Sequence, residues 1–108
     1  MNIDKNEALK AWEDVFGSQE FANDFAGRQM QKSEYQNNNS EFGWMIDNLF
    51  PTSKNNSQNA LIILNIKTST EKGSAGTFKA NNRIFQIIKA QDKSANLPYE
   101  LFEIVDED

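Results

Sequence analysis

The sequence predicts an α+β domain, on three observations. Apolar residues near the start recur at helical intervals. A central run alternates in the strand period and leads, through a polar loop, to a second apolar run and a short helical stretch. The last third holds two segments rich in β-branched and aromatic residues. A chain of 108 residues supports one hydrophobic core, so residues 1–108 form a single domain. Within it we distinguish an N-terminal helical part (1–23), a central segment (24–73) and a C-terminal extension (74–108).

In chain order, Asp4 and Glu7 have capping-box spacing, and Leu9, Trp12, Val15 and Phe16 follow at intervals of three or four. These predict an amphipathic helix that ends near Gly17 and buries Trp12. Ser18, ahead of Gln19 and Glu20, is a second helix start leading into Phe21, Ala22 and Phe25, which predicts a second, shorter N-terminal helix. Residues 36–40 form a polar loop rich in Asn. Phe42, Trp44 and Ile46 then alternate with Gly43, Met45 and Asp47, a strand that buries one face and stops at Pro51. Turn residues 53–57 precede the apolar run 60–64, and a polar segment closing on Lys72 and Gly73 makes a short helix. Residues 73–77 read as a flexible joint. Residues 83–90 have strand composition, although helix stays open for 80–90, and residues 99–105 make a second strand able to pair with them across the polar loop 91–98. Asp106, Glu107 and Asp108 form an acidic end.

Composition narrows the function classes. The formal net charge is -5. Residues 1–23 carry a net -3, residues 24–73 are balanced, and residues 74–108 carry -2. No segment has the cationic surplus that attracts nucleic acid without sequence preference. No run approaches the ~20 apolar residues of a membrane-spanning helix. No secretory signal is visible, and with no cysteine there is neither a disulfide framework nor a thiolate site. A cytoplasmic protein that does not engage membranes is the expectation.

The central segment resembles a known family. Asp24-Phe25-Ala26-Gly27-Arg28, the lone Tyr35, and Ser40-Glu41-Phe42-Gly43-Trp44-Met45-Ile46-Asp47 look like the run leading into the site of the HNH endonucleases. Members of that branch continue into His and then x-x-Pro-x-Ser-Lys, and Pro51, Ser53 and Lys54 stand in those places. Leu64-Asn65-Ile66-Lys67-Thr68-Ser69-Thr70-Glu71-Lys72-Gly73 is similar to the family's Leu-His-Trp-Lys-Thr-Asn-Arg-x-Lys-Gly. The resemblance covers roughly half the chain and implies a ββα-metal hairpin and helix, flanked here by N-terminal helices and a C-terminal strand pair.

The resemblance also implies where chemistry would sit, and the chain departs from it there. The family's general base is the His after the Asp; this chain has Asn48, and no histidine anywhere. An amide cannot take a proton near neutral pH, and losing a general base costs ~10²–10⁴ in rate. The family's metal is held by the Asp, kept as Asp47, and by a helix residue whose place Ser69 takes. One carboxylate and one hydroxyl make a poor cage for a hard divalent cation. Asn65 stands where the family has His, and the family's middle Asn falls on Ala60, with Asn59 one residue off.

Asp47, Asn48, Asn65 and Ser69 are therefore the degenerate catalytic positions. Asp47 is a weak metal candidate, against the alternative that it accepts backbone hydrogen bonds at the strand end with Asn48 capping the turn. Arg28, Lys54, Lys67 and Lys72 are candidate nucleic-acid contacts. For Arg28 the competing reading is an ion pair with Asp24 or Asp47. The function expected is a catalytically inactive HNH-like domain acting as a protein-binding or inhibitory module, without cofactor and with a protein partner. The alternative is a DNA endonuclease dependent on Mg²⁺ or another divalent cation, with an unconventional base.

Overall fold

The computed structural model describes residues 3–48, 61–89 and 99–105. Helix α1 spans Lys5–Phe16; Asp4 caps it, its carboxylate accepting from the Asn6 N–H at 3.4 Å. Gly17, at φ 66°, ends it and donates its N–H back to the Glu13 carbonyl, the left-handed stop that glycine makes without a Cβ clash. Trp12 is fully buried and donates its indole N–H to the Gln19 carbonyl at 2.8 Å.

The expected second helix is absent, and a small hairpin takes its place. Strand β1 (Phe21–Asn23) pairs antiparallel with β2 (Gln29–Gln31). Asp24 directs this choice. Its Oδ1 accepts from the N–H groups of Ala26 and Arg28 at 3.0 and 2.9 Å, and Gly27 turns the chain at φ 87°. A side chain that bonds its own turn competes with helix for the same amides.

After a single 3₁₀ turn (Lys32–Glu34), β3 (Trp44–Asn48) pairs antiparallel with β4 (Leu61–Asn65), and α2 (Ile66–Lys72) follows β4 directly. The two strands and the helix stand in the order expected of the central segment. Gly43 sits where a Cβ would lie 2.1 Å from the Asn37 carbonyl oxygen, so only glycine fits there. The expectations for Pro51, Ser53, Lys54 and the turn at 53–57, for Asn59 and Ala60, and for the loop 91–98 fall outside the described residues.

The C-terminal part holds three strands and not a pair: β5 (Thr77–Ala80), β6 (Arg83–Lys89) and β7 (Tyr99–Ile104), antiparallel in that order. The strand reading holds over 83–89, and the expected pairing is present with 99–104. What the joint at 73–77 concealed is β5, joined to β6 by Asn81 and Asn82 at φ 52° and 63°, a two-residue turn with the twist hairpins favour.

The β3–β4 hairpin is the middle layer. Ile46 and Ile63 pack with Ala8, Trp12, Met30 and Trp44 on one side, while Ile62 packs toward Ala26, Phe78, Phe85 and Ile87 on the other. Trp44 joins the first cluster to the loop before it, its ring centroid 4.8 Å from those of Trp12 and Tyr35. Among the described residues, no helix is long and apolar enough to cross a membrane.

Candidate functional site

Strand alternation separates two neighbouring candidates. Trp44, Ile46 and Asn48 are buried on one face of β3, and Asp47 lies on the other. The Asp47 carboxylate accepts from the Asn48 N–H at 2.8 Å, and its charge acts on Lys72 across to α2. The Asn48 side chain lies on the opposite face of β3 from Asp47, and its Oδ1 is buried without a hydrogen-bond partner among the described residues. Consecutive positions that the resembled family uses together are thus on opposite sides of the hairpin.

On α2 the buried residues are Thr68 and Lys72, one turn apart and on one face. Lys72 is 2% exposed. Its Nζ lies 5.8 Å from the Phe78 ring centroid and 3.5 Å from the Gly73 carbonyl oxygen. Burial pulls its ammonium below the ordinary lysine value, and the Asp47 charge partly offsets this. A cation of the chain itself therefore lies within electrostatic reach of Asp47. Ser69, three residues earlier, is half-buried and bonds to Gly73 through its main chain.

Asn65 is the most heavily bonded of the candidates. It is 2% exposed and caps α2, its Oδ1 accepting from the Lys67 N–H at 2.9 Å. Its Nδ2 donates to the carbonyls of Gln29 and Glu41, both at 2.9 Å. Its own N–H donates to Asp24 Oδ2 at 2.9 Å. Asp24 thus accepts from three backbone N–H groups while 7% exposed. Asp24 and Asn65 together tie the β1–β2 turn, β2, the loop before β3 and the start of α2 to one another.

The candidate cations are dispersed. Arg28 pairs with Glu71 and donates to Thr68 Oγ1 at 3.3 Å, so its partner is neither Asp24 nor Asp47. The Arg28 hydrogen bond holds the Glu71 carboxyl below its usual range. Lys67 is exposed and lines, with Arg28, Gln29, Glu41, Phe42 and Asn65, a shallow recess of about 240 Å³. Lys72 is interior, and Lys54 lies outside the described residues. No group of three or more His, Cys, Asp or Glu side chains close enough to hold a metal ion occurs among the described residues.

Sequence reasoning missed Asp24 as an interior anchor and Glu71 as the partner of Arg28. Asp24 had a signal, an Asp three residues ahead of a turn glycine. Glu71 had none, because the pairing spans 43 residues. The fold and site together define a small α+β domain with a polar interior hub and a buried lysine on α2. No family model, curated protein or solved structure matches this chain.

Proposed function

We propose that this is a catalytically inactive HNH-like domain that works as a protein-binding or inhibitory module in the cytoplasm. The observation that carries the reading is Lys72. In the resembled family a divalent cation sits between the strand Asp and the helix; here Lys72 is buried on α2, where the charge of Asp47 acts on it. A positive charge within reach of Asp47 works against a second cation there. Asn48 supports the same reading from the other side of the strand. It is no base, and it is turned away from Asp47.

The charge balance favours a protein partner over DNA. A net charge of -5 opposes approach to a polyanion and favours a basic partner. The test is nicking of supercoiled plasmid across Mg²⁺, Mn²⁺, Ni²⁺ and Zn²⁺, with Asp47→Ala purified identically. No nicking with any metal is the expected result. Nicking that disappears in Asp47→Ala would overturn the proposal.

A further inference from the structure

A cleft lies between α1 and the strands. Glu7, Ala11 and Val15, on successive turns of α1, form one wall. Ile46 of β3 and its cross-strand partner Ile63 of β4 line it as well, and Leu101 lines it from β7. Its volume is about 530 Å³, far larger than a packing defect and within the range of sites for small organic molecules. Apart from Glu7, Asn23 and Asp24 the lining is apolar. Val15 and Leu61 belong to that lining and stay 64% and 53% exposed, so the cleft is open to solvent. Walls from a helix and from two sheets make it a concave site and not a bare apolar face.

The polar part of the lining selects the ligand. No Lys or Arg lines the cleft. Asp24 is already engaged, both of its carboxylate oxygens accepting from backbone N–H groups. The Glu7 carboxylate is exposed and has no ion-pair or hydrogen-bond partner among the described residues. An apolar molecule with an anionic head would bring a second negative charge to Glu7 with no cation to answer it. A cationic head meets a free carboxylate while it keeps part of its hydration, as amphipathic groups do at an apolar boundary.

We propose that this cleft binds a small organic amine, its aromatic or alkyl body between the apolar walls and its protonated nitrogen at Glu7. Burial of the body supplies the affinity, and Glu7 sets the sign of charge that is accepted. The site uses neither Asp47 nor Asn48, so it goes beyond the inactive-module reading and does not depend on it.

The probes are phenylbutylamine, phenylbutanol and phenylbutyrate, which share a body and differ in the charge of the head. Each is titrated against the full chain by calorimetry and by amide chemical shifts. The amine should bind saturably, about threefold more tightly than the alcohol and about tenfold more tightly than the carboxylate at low salt, with shifts centred on residues 7–15, 61–63 and 101. Glu7→Gln should bring the amine down to the affinity of the alcohol and leave the alcohol unchanged. Ala11→Leu keeps a strong helix former and fills the cleft from one wall; it should weaken amine and alcohol alike by about fivefold or more. Both variants should melt like the parent. Four results would overturn the proposal: no saturable binding, carboxylate bound as tightly as amine, shifts centred elsewhere, or a preference for the amine that survives in Glu7→Gln. A dimer in sedimentation that Ala11→Leu dissolves would also overturn it, by assigning the cleft to a second copy.

Discussion

Asn65→Ala should unfold this domain more readily than any exposed substitution, although the resemblance places Asn65 among degenerate catalytic positions. Its side chain makes three hydrogen bonds at 2.9 Å, one as the cap of α2 and two to main-chain carbonyls. Loss of the cap costs about 1 kcal/mol. Each carbonyl deprived of its donor costs about 1 kcal/mol more, and the small void left adds up to about 1 kcal/mol. The sum is about 3–4 kcal/mol, a large part of the ~5–15 kcal/mol that holds a small domain together. With a urea slope of about 1.5 kcal/mol per molar, the midpoint should fall by about 2 M. Buried Trp12 and Trp44 report the transition by fluorescence, and far-UV circular dichroism checks that it is two-state. Asn65→Asp keeps the capping oxygen but sets a carboxylate against two carbonyls, so at neutral pH it should lose at least as much. A midpoint that moves less than about 0.5 M in Asn65→Ala, with slope unchanged, would refute the hub.

The other predictions concern single contacts. Gly43→Ala forces a Cβ to 2.1 Å from the Asn37 carbonyl oxygen, so the loop must shift; a loss of about 2–3 kcal/mol is expected in the same titration. Asn48→Leu removes a buried oxygen that has no partner among the described residues and should leave stability equal or raise it by about 1 kcal/mol; a marked loss would mean that the amide is bonded in solution. Lys72 has a folded-state pKa below its ordinary 10.5. The unfolded chain therefore holds that proton more tightly, and this group's cost to stability is fully present at neutral pH and relieved as pH rises through the folded value toward 10.5. Lys72→Met should lack that alkaline gain and be neutral or stabilising at pH 7. Parallel stability curves for the two proteins between pH 7 and 10.5 would contradict the assignment.

What the sequence discloses here is what is local. Leu9, Trp12 and Phe16 announce α1 by spacing, and Trp44 and Ile46 announce β3 by alternation, because burial repeats with the geometry of one element. Residues 18–25 mislead for the same reason. Phe21, Ala22 and Phe25 fit a helical face, and only the three amides gathered by the Asp24 carboxylate turn the segment into a hairpin. Strand β5 is short, with Phe78 and Ala80 its buried residues; its legible cue is the Asn81-Asn82 pair and not its own pattern. The site was read at the level of which positions to watch. Its long-range ties were not, since Asn65 reaches carbonyls 24 and 36 residues away and backbone acceptors have no residue signature. Lys72 reads as an ordinary cation in a last helical turn. Only the packing of α2 against β5 puts it inside.

The two polar interiors of this domain differ in a way that bears on its proposed loss of chemistry. The donors of the Asn65 amide and its carbonyl oxygen all find partners, and Asp24 accepts from three amides, so neither has bonding capacity to spare for a substrate. A buried network completed in this way fixes one arrangement of the chain. Across the hairpin, the charge of Asp47 acts on the buried Lys72 of α2. A group that serves catalysis must be able to exchange partners during a turnover. Here the polar groups of the Asp24–Asn65 hub are saturated, and the buried oxygen left unsatisfied among the described residues, on Asn48, lies on the opposite face of β3 from the carboxylate.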